Sequence, residues 1–129
     1  PCHGDLTLEN IIVGADKNLY LIDFLDSFYN SWMIDIAKLL QDLELKWSFR
    51  NKTISKNMEL RLLVAKEILI EEILKRDNGF EDVKTIYHLL CLNIVRIYPY
   101  VKDVATLEFL NSSIEFLAGK IKNLKKGEI

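Results

Sequence analysis

Hydrophobic and polar positions divide this chain into two parts with different periods. Near the start, Ile11-Ile12-Val13 and Leu19-Tyr20-Leu21-Ile22 are short apolar runs rich in β-branched residues. Gly14-Ala15-Asp16-Lys17-Asn18, a turn-type cluster, separates them, and the combination predicts a β-hairpin. From Asp23 to Ser31 no period is visible, which predicts a loop. Helical spacing then takes over. Ile34, Ala37, Leu40 and Leu43 fall on one face, broadened by Ile36 and Leu39. A second helix is expected over about 56–76 with Leu62, Ala65, Leu69, Ile73 and Leu74 inward. Asp77-Asn78-Gly79 is expected to stop it through a left-handed glycine. A third helix is expected over about 81–98, ended by Pro99. A fourth is expected over about 103–124, carrying Leu107, Leu110, Ile114, Leu117 and Ile121. The polar stretch 47–57 reads as the most mobile connection. The predicted class is α+β, mostly α: a small hairpin backed by a helical bundle.

Composition narrows the possibilities. With 129 residues, 50% of them apolar and 28% charged, the chain suits one soluble, core-forming domain or lobe. The formal net charge is -2 and both signs are interspersed, so no basic stripe for nucleic acid is present. The lysines near the C-terminus, Lys120, Lys122, Lys125 and Lys126, suit a solvated helix end. No apolar run approaches a membrane span. Cys2 and Cys91 are far apart and read as free thiols of a reducing cytosol, so a cytoplasmic location is expected.

The candidate chemistry is concentrated in His3-Gly4-Asp5-Leu6-Thr7-Leu8-Glu9-Asn10 and, beyond the hairpin, Leu21-Ile22-Asp23-Phe24. An acid, an amide five residues on and a second acid at a strand end are the groups phosphoryl transfer requires. One carboxylate orients the attacking hydroxyl and accepts its proton; a neutral oxygen and a second carboxylate hold Mg²⁺. The hairpin accounts for the spacing, because it returns Asp23 to the neighbourhood of Asn10. Taken singly these residues are ordinary turn formers; the argument rests on their combination. Asp26 follows closely and has two readings, contact with a cationic substrate or a cap on the loop. His88, inside an apolar helical run, reads as a core or boundary histidine. Trp32, Trp47, Tyr87, Tyr98 and Tyr100 could line a cage for a quaternary ammonium, with core packing the commoner role for such residues.

His3-Gly4-Asp5 with Asn10 resembles the His-Gly-Asp-x-x-x-x-Asn catalytic loop of the aminoglycoside phosphotransferase and choline kinase families. Gly4 stands where protein kinases carry Arg, and Asp23-Phe24-Leu25 stands in place of Asp-Phe-Gly. Asp35-Ile36-Ala37 is similar to the Asp-(Ile/Leu)-Ala with which that family opens its next helix. The resemblance covers residues 1 to about 45. It implies a kinase-like C-terminal lobe, with 1–33 as catalytic loop, hairpin and metal-binding loop, and 34–129 as the helical part. It implies Asp5 as catalytic base, His3 as support for the loop, Asn10 and Asp23 as Mg²⁺ ligands, and Asp35 as the helix anchor. ATP would be the phosphoryl donor. The acceptor would be a small molecule such as an aminoglycoside, choline, ethanolamine or a sugar. No glycine-rich phosphate-covering loop and no Lys–Glu pair precede His3, so the expectation is a fragment whose N-lobe is missing, inactive by itself and prone to self-association. A degenerate, non-catalytic helical interaction module is the competing expectation.

Overall fold

The computed structural model describes residues 2–25 and 30–129. Asp26, with its two readings, lies outside the described residues. Strands β1 (Ile11–Val13) and β2 (Leu19–Leu21) form an antiparallel hairpin in the register Ile11↔Leu21, Ile12↔Tyr20, Val13↔Leu19. Its turn is closed by Gly14 N–H donating to Asn18 O and Lys17 N–H to Gly14 O, each at 2.9 Å. Lys17 takes a left-handed φ of 64°. The Asp16 carboxylate accepts from Asn18 N–H at 3.0 Å and from the Tyr20 hydroxyl.

Four α-helices follow among the described residues: α1 (Trp32–Leu43), α2 (Lys56–Leu74), α3 (Gly79–Val95) and α4 (Val104–Lys125). Three of them begin on side-chain caps that satisfy otherwise orphaned N–H groups. Ser31 accepts from Met33 N–H, Ser55 from Met58 N–H, and Asp103 from Thr106 N–H at 3.2, 3.1 and 2.7 Å. Helix α3 is central and packs against the other three. Its Val83, Ile86, Tyr87, Leu90 and Ile94 are fully buried, meeting Ala37 and Leu40 of α1 and Leu110 and Leu117 of α4 in one core.

The structure corrects several details of the pattern reading. In α2 Leu62, Ile70 and Ile73 are buried and Leu69 and Leu74 pack against the core as expected, but Ala65 is exposed. Lys66 takes part of the inward face, its ammonium 3.0 Å from the Glu44 carboxylate, and the Tyr87 hydroxyl donates to the same carboxylate at 3.0 Å. Gly79 does not end α2 in a left-handed turn; it starts α3. A Cβ there would lie 2.5 Å from Ile73 O and 2.7 Å from Leu74 Cα, so the glycine permits close approach of two helix ends. Pro99 sits in a separate 3-10 turn (Tyr98–Tyr100) beyond the end of α3. Leu107 is 39% exposed and outside the buried core. His88 faces solvent, with Nδ1 2.7 Å from Lys84 O of its own helix. Within 47–57, Trp47 stacks edge-on against Phe109 at 5.8 Å, and Ser48 is fixed to Asp42, so this connection is anchored to the bundle.

Candidate functional site

The loop 3–10 makes few regular hydrogen bonds of its own, and α1 supplies much of what it lacks. Asp35 lies in the first turn of α1. Its carboxylate accepts from His3 N–H at 2.8 Å and from Gly4 N–H at 2.9 Å. One turn on, Lys38 places its ammonium 3.4 Å from the Asp5 carboxylate. One turn further, the wholly buried Asp42 accepts from Leu8 N–H at 2.8 Å, and from Ser48 N–H and Oγ–H at 2.9 and 2.7 Å. Positions 35, 38 and 42 share a helix face, so one edge of α1 reads the loop in register.

Gly4 and His3 tie the loop to the segment that follows the hairpin, residues 22–25. Gly4 has φ +90°, and a Cβ on it would lie 2.1 Å from Leu25 O. Leu25 N–H donates to His3 O at 3.0 Å. The His3 ring is buried. Asp5 N–H donates to its Nδ1 at 3.2 Å, and Nε2 lies 2.6 Å from Ile22 O. An acceptor Nδ1 beside a carbonyl-facing Nε2 is the bond pattern of the neutral Nε2–H tautomer. Phe24 covers the same ring, with centroids 4.3 Å apart.

Asp5 and Asn10 are brought together directly. Asn10 Nδ2 donates to Asp5 O at 2.8 Å and to Asp5 Oδ2 at 3.3 Å. Ile22 N–H donates to Asn10 O at 3.0 Å, extending the hairpin pairing by one bond. Asp23 therefore begins one residue beyond a backbone contact with Asn10. It does so with a left-handed φ of 56°, uncommon for a non-glycine residue. Its side chain is exposed. Among the described residues no group of three or more His, Cys, Asp or Glu gathers as a metal site.

Asp5 also opens onto a cleft of about 450 Å³ between the loop, α1 and the C-terminal end of α3. Its described lining includes Leu25, Ile34, Lys38, Asn93, Arg96 and Tyr100. Of the five aromatic side chains, four take the commoner core role and form no cage: Trp32, Trp47 and Tyr98 pack against the core, Tyr87 lies within it, and Tyr100 alone of the five lines this cleft. Sequence reasoning missed Lys38, Asp42, Asn93 and Arg96. The heptad spacing of Asp35 and Asp42 was a usable signal, since a carboxylate two turns along the same face is poised over the same loop. Asn93 and Arg96 had no such signal, because only the α1–α3 packing brings them near Asp5.

No curated protein and no solved structure matches the chain. The loop, the hairpin and all of α1 fall within residues 1–54, and that segment matches the model of the phosphotransferase enzyme family, APH.

Proposed function

We propose that this chain carries the catalytic-loop part, a kinase-like C-terminal lobe, of an ATP-dependent phosphotransferase that phosphorylates a hydroxyl of a small molecule. The observation that supports this best is the joining of Asp5 to Asn10 by hydrogen bonds, with Ile22, the residue before Asp23, bonded through its N–H to Asn10 O.

In this reading Asp5 faces the cleft, orients the acceptor hydroxyl and takes up its proton as the oxygen attacks the γ-phosphorus, while the bond from that phosphorus to the β,γ-bridging oxygen breaks and ADP leaves. Lys38 and the Asn10 amide hold the Asp5 carboxylate in place. Because Asn10 Nδ2 is committed to Asp5, its Oδ1 is the atom presented to a cation. Asn10 Oδ1 and the exposed Asp23 carboxylate fit Mg²⁺, which takes hard oxygen ligands and keeps several waters. When bound, the ion would neutralise phosphate oxygens. His3 and Asp35 are positioning residues that shape the loop. An N-terminal lobe that covers the phosphates is part of the proposal, as is a cytoplasmic setting. No helix among the described residues is long and apolar enough to cross a membrane.

The test is phosphoryl transfer from Mg²⁺-ATP by the gene product that contains this chain, assayed against a panel of hydroxyl acceptors. Asp5→Asn should lower kcat by about a hundredfold or more, as loss of a general base does, and leave ATP affinity near its original value. Wild-type turnover in that variant would remove Asp5 from the chemistry.

A further inference from the structure

Helix α2 keeps apolar side chains on the side turned away from the core. Leu60, Val64 and Ile68 follow one another at the four-residue spacing of a single helix face, with Leu63 beside them, and all four are exposed. A helix that is apolar on both sides is ordinarily covered on both. Among the described residues nothing covers this outer side.

At the N-terminal end of α2 the apolar stripe runs into a basic surface. Leu60 and Leu63 line a hollow of about 410 Å³ with Lys46, Lys56 and Glu59. Lys46 and Glu59 also border a second hollow, of about 360 Å³, with Phe49, Lys52 and Ile54. The stretch 46–58 carries Lys46, Arg50, Lys52 and Lys56 and no acid, in a chain whose net charge is -2. Arg50 is committed: it stacks over Trp47 at 3.7 Å and donates to Trp47 O at 3.0 Å. The ammonium groups of Lys46, Lys52 and Lys56 take no part in the ion pairs among the described residues. Against these three stands the carboxylate of Glu59, since Glu44 at the first hollow is held by Lys66 at 3.0 Å. The excess of cations is confined to this end. Glu67, Glu71 and Glu72 lie towards the other, so the face is not basic along its length as a membrane-surface helix is.

We infer that the outer face of α2 is a docking surface for an acidic amphipathic helix of a partner protein. The partner's apolar stripe lies on Leu60, Leu63, Val64 and Ile68, and its carboxylates lie over Lys46, Lys52 and Lys56. Apolar anchors at helical spacing supply the affinity in such a complex, and the charges set its register and speed its association. The described lining of the cleft beside Asp5 includes no residue of α2. Docking here is therefore separate from the phosphotransferase reading and stands or falls without it.

The experiment is fluorescence anisotropy of two labelled helical peptides, each as long as α2, titrated with the 129-residue chain and with the full gene product. One probe carries leucines at i, i+4 and i+8 and glutamates on its remaining faces; the other carries lysines in place of the glutamates. Both proteins should bind the glutamate probe, and the lysine probe roughly tenfold more weakly or less. Val64→Glu should weaken the glutamate probe roughly tenfold, and so should Lys46→Glu combined with Lys56→Glu. The helical signal in circular dichroism should hold in both, because none of the three side chains is buried. Val13→Glu, Leu19→Lys, which alters the exposed hairpin, should bind the probe as wild type does. Failure to bind the glutamate probe, equal binding of both probes, or binding that survives Val64→Glu overturns the inference. Refusal of the probe by the full gene product also overturns it, because the face is then covered from within that product. Dimerisation of the chain that Val64→Glu abolishes would assign the face to a second copy. Pelleting with phosphatidylserine vesicles that Val64→Glu abolishes would assign it to a membrane. Either result removes the partner helix.

Discussion

At the scale of single residues, the site depends on backbone conformations that few side chains allow. Gly4 holds φ +90°, with Leu25 O at 2.1 Å from where a Cβ would sit. Gly4→Ala cannot be absorbed by a flexible side chain, because the clash is with backbone. It should push Leu25 away from His3, break the Leu25 N–H bond to His3 O, and reduce kcat by more than tenfold while the helical signal in circular dichroism is retained. Equal activity in the two forms would show that the close approach has no bearing on catalysis. Asp23 adopts its own left-handed φ of 56°, and Asp23→Ala should weaken Mg²⁺-nucleotide binding as well as turnover if, as proposed, it is the charged ligand. Isothermal titration of Mg²⁺-ATP into the full gene product decides this, and unchanged affinity would leave Asp23 as a strand-end residue. The nearness of Asp5 to Asn10, and the hairpin that follows them, were legible in the sequence because both are short-range structure. Lys38 and Asn93 were not, because their nearness to Asp5 comes from helix packing, which leaves no mark on sequence spacing.

At the scale of elements, α1 is the support on which the loop is laid. Asp42 is the deepest of its contacts, fully buried and accepting three hydrogen bonds. Asp42→Ala leaves the Leu8 and Ser48 donors without their acceptor and should destabilise the chain by about 3 kcal/mol, within the range for breaking a buried polar network. Urea unfolding measures it; a loss near zero would mean that water replaces the carboxylate at no cost. Helix α4 provides a pH test. Hydrogen bonds from Thr106 N–H and Thr106 Oγ–H hold the Asp103 carboxyl below its ordinary value of 3.8. A folded pKa below the unfolded one adds stability above the unfolded value, and this is lost as pH falls through 3.8 towards the folded pKa. Asp103→Asn keeps a capping oxygen but does not titrate. Its melting temperature should therefore fall less steeply than wild type across that acidic window, and parallel curves would refute the cap's part in acid stability. The four helices were legible as apolar periodicity. Their exact faces were less so: in α2 apolar residues lie on both sides, and only the Lys66–Glu44 pair and the Ile70 contacts reveal which side is inward. Gly79 shows the same limit, since a glycine between helices serves a left-handed stop or a close approach equally well until the packing is known.

At the scale of the whole molecule, the bundle buries its own core while the hairpin stays uncovered. Val13, Leu19, Phe24 and Leu25 are 67%, 68%, 65% and 58% exposed. Tyr20 and Leu21 lie beside them, also exposed. Exposed apolar side chains in this number favour association in water. The sequence holds the proposed base and metal ligands, but none of its five glycines forms a glycine-rich phosphate loop. Phosphoryl transfer is mostly positioning and charge neutralisation, so the purified 129-residue chain should fold, show no ATP turnover and self-associate. Light scattering coupled to size exclusion reads the association. The double variant Val13→Glu, Leu19→Lys alters a directly paired cross-strand position. It adds opposite charges that suit each other across the ladder, so the hairpin is preserved while its surface becomes polar. That variant should run as a monomer with an unchanged helical spectrum. If the wild-type chain is itself monomeric, or the variant associates as before, the hairpin is not the adhesive surface. Asp5-dependent turnover by the chain alone would show more: that phosphate-holding groups lie within the residues assigned here to a helical bundle.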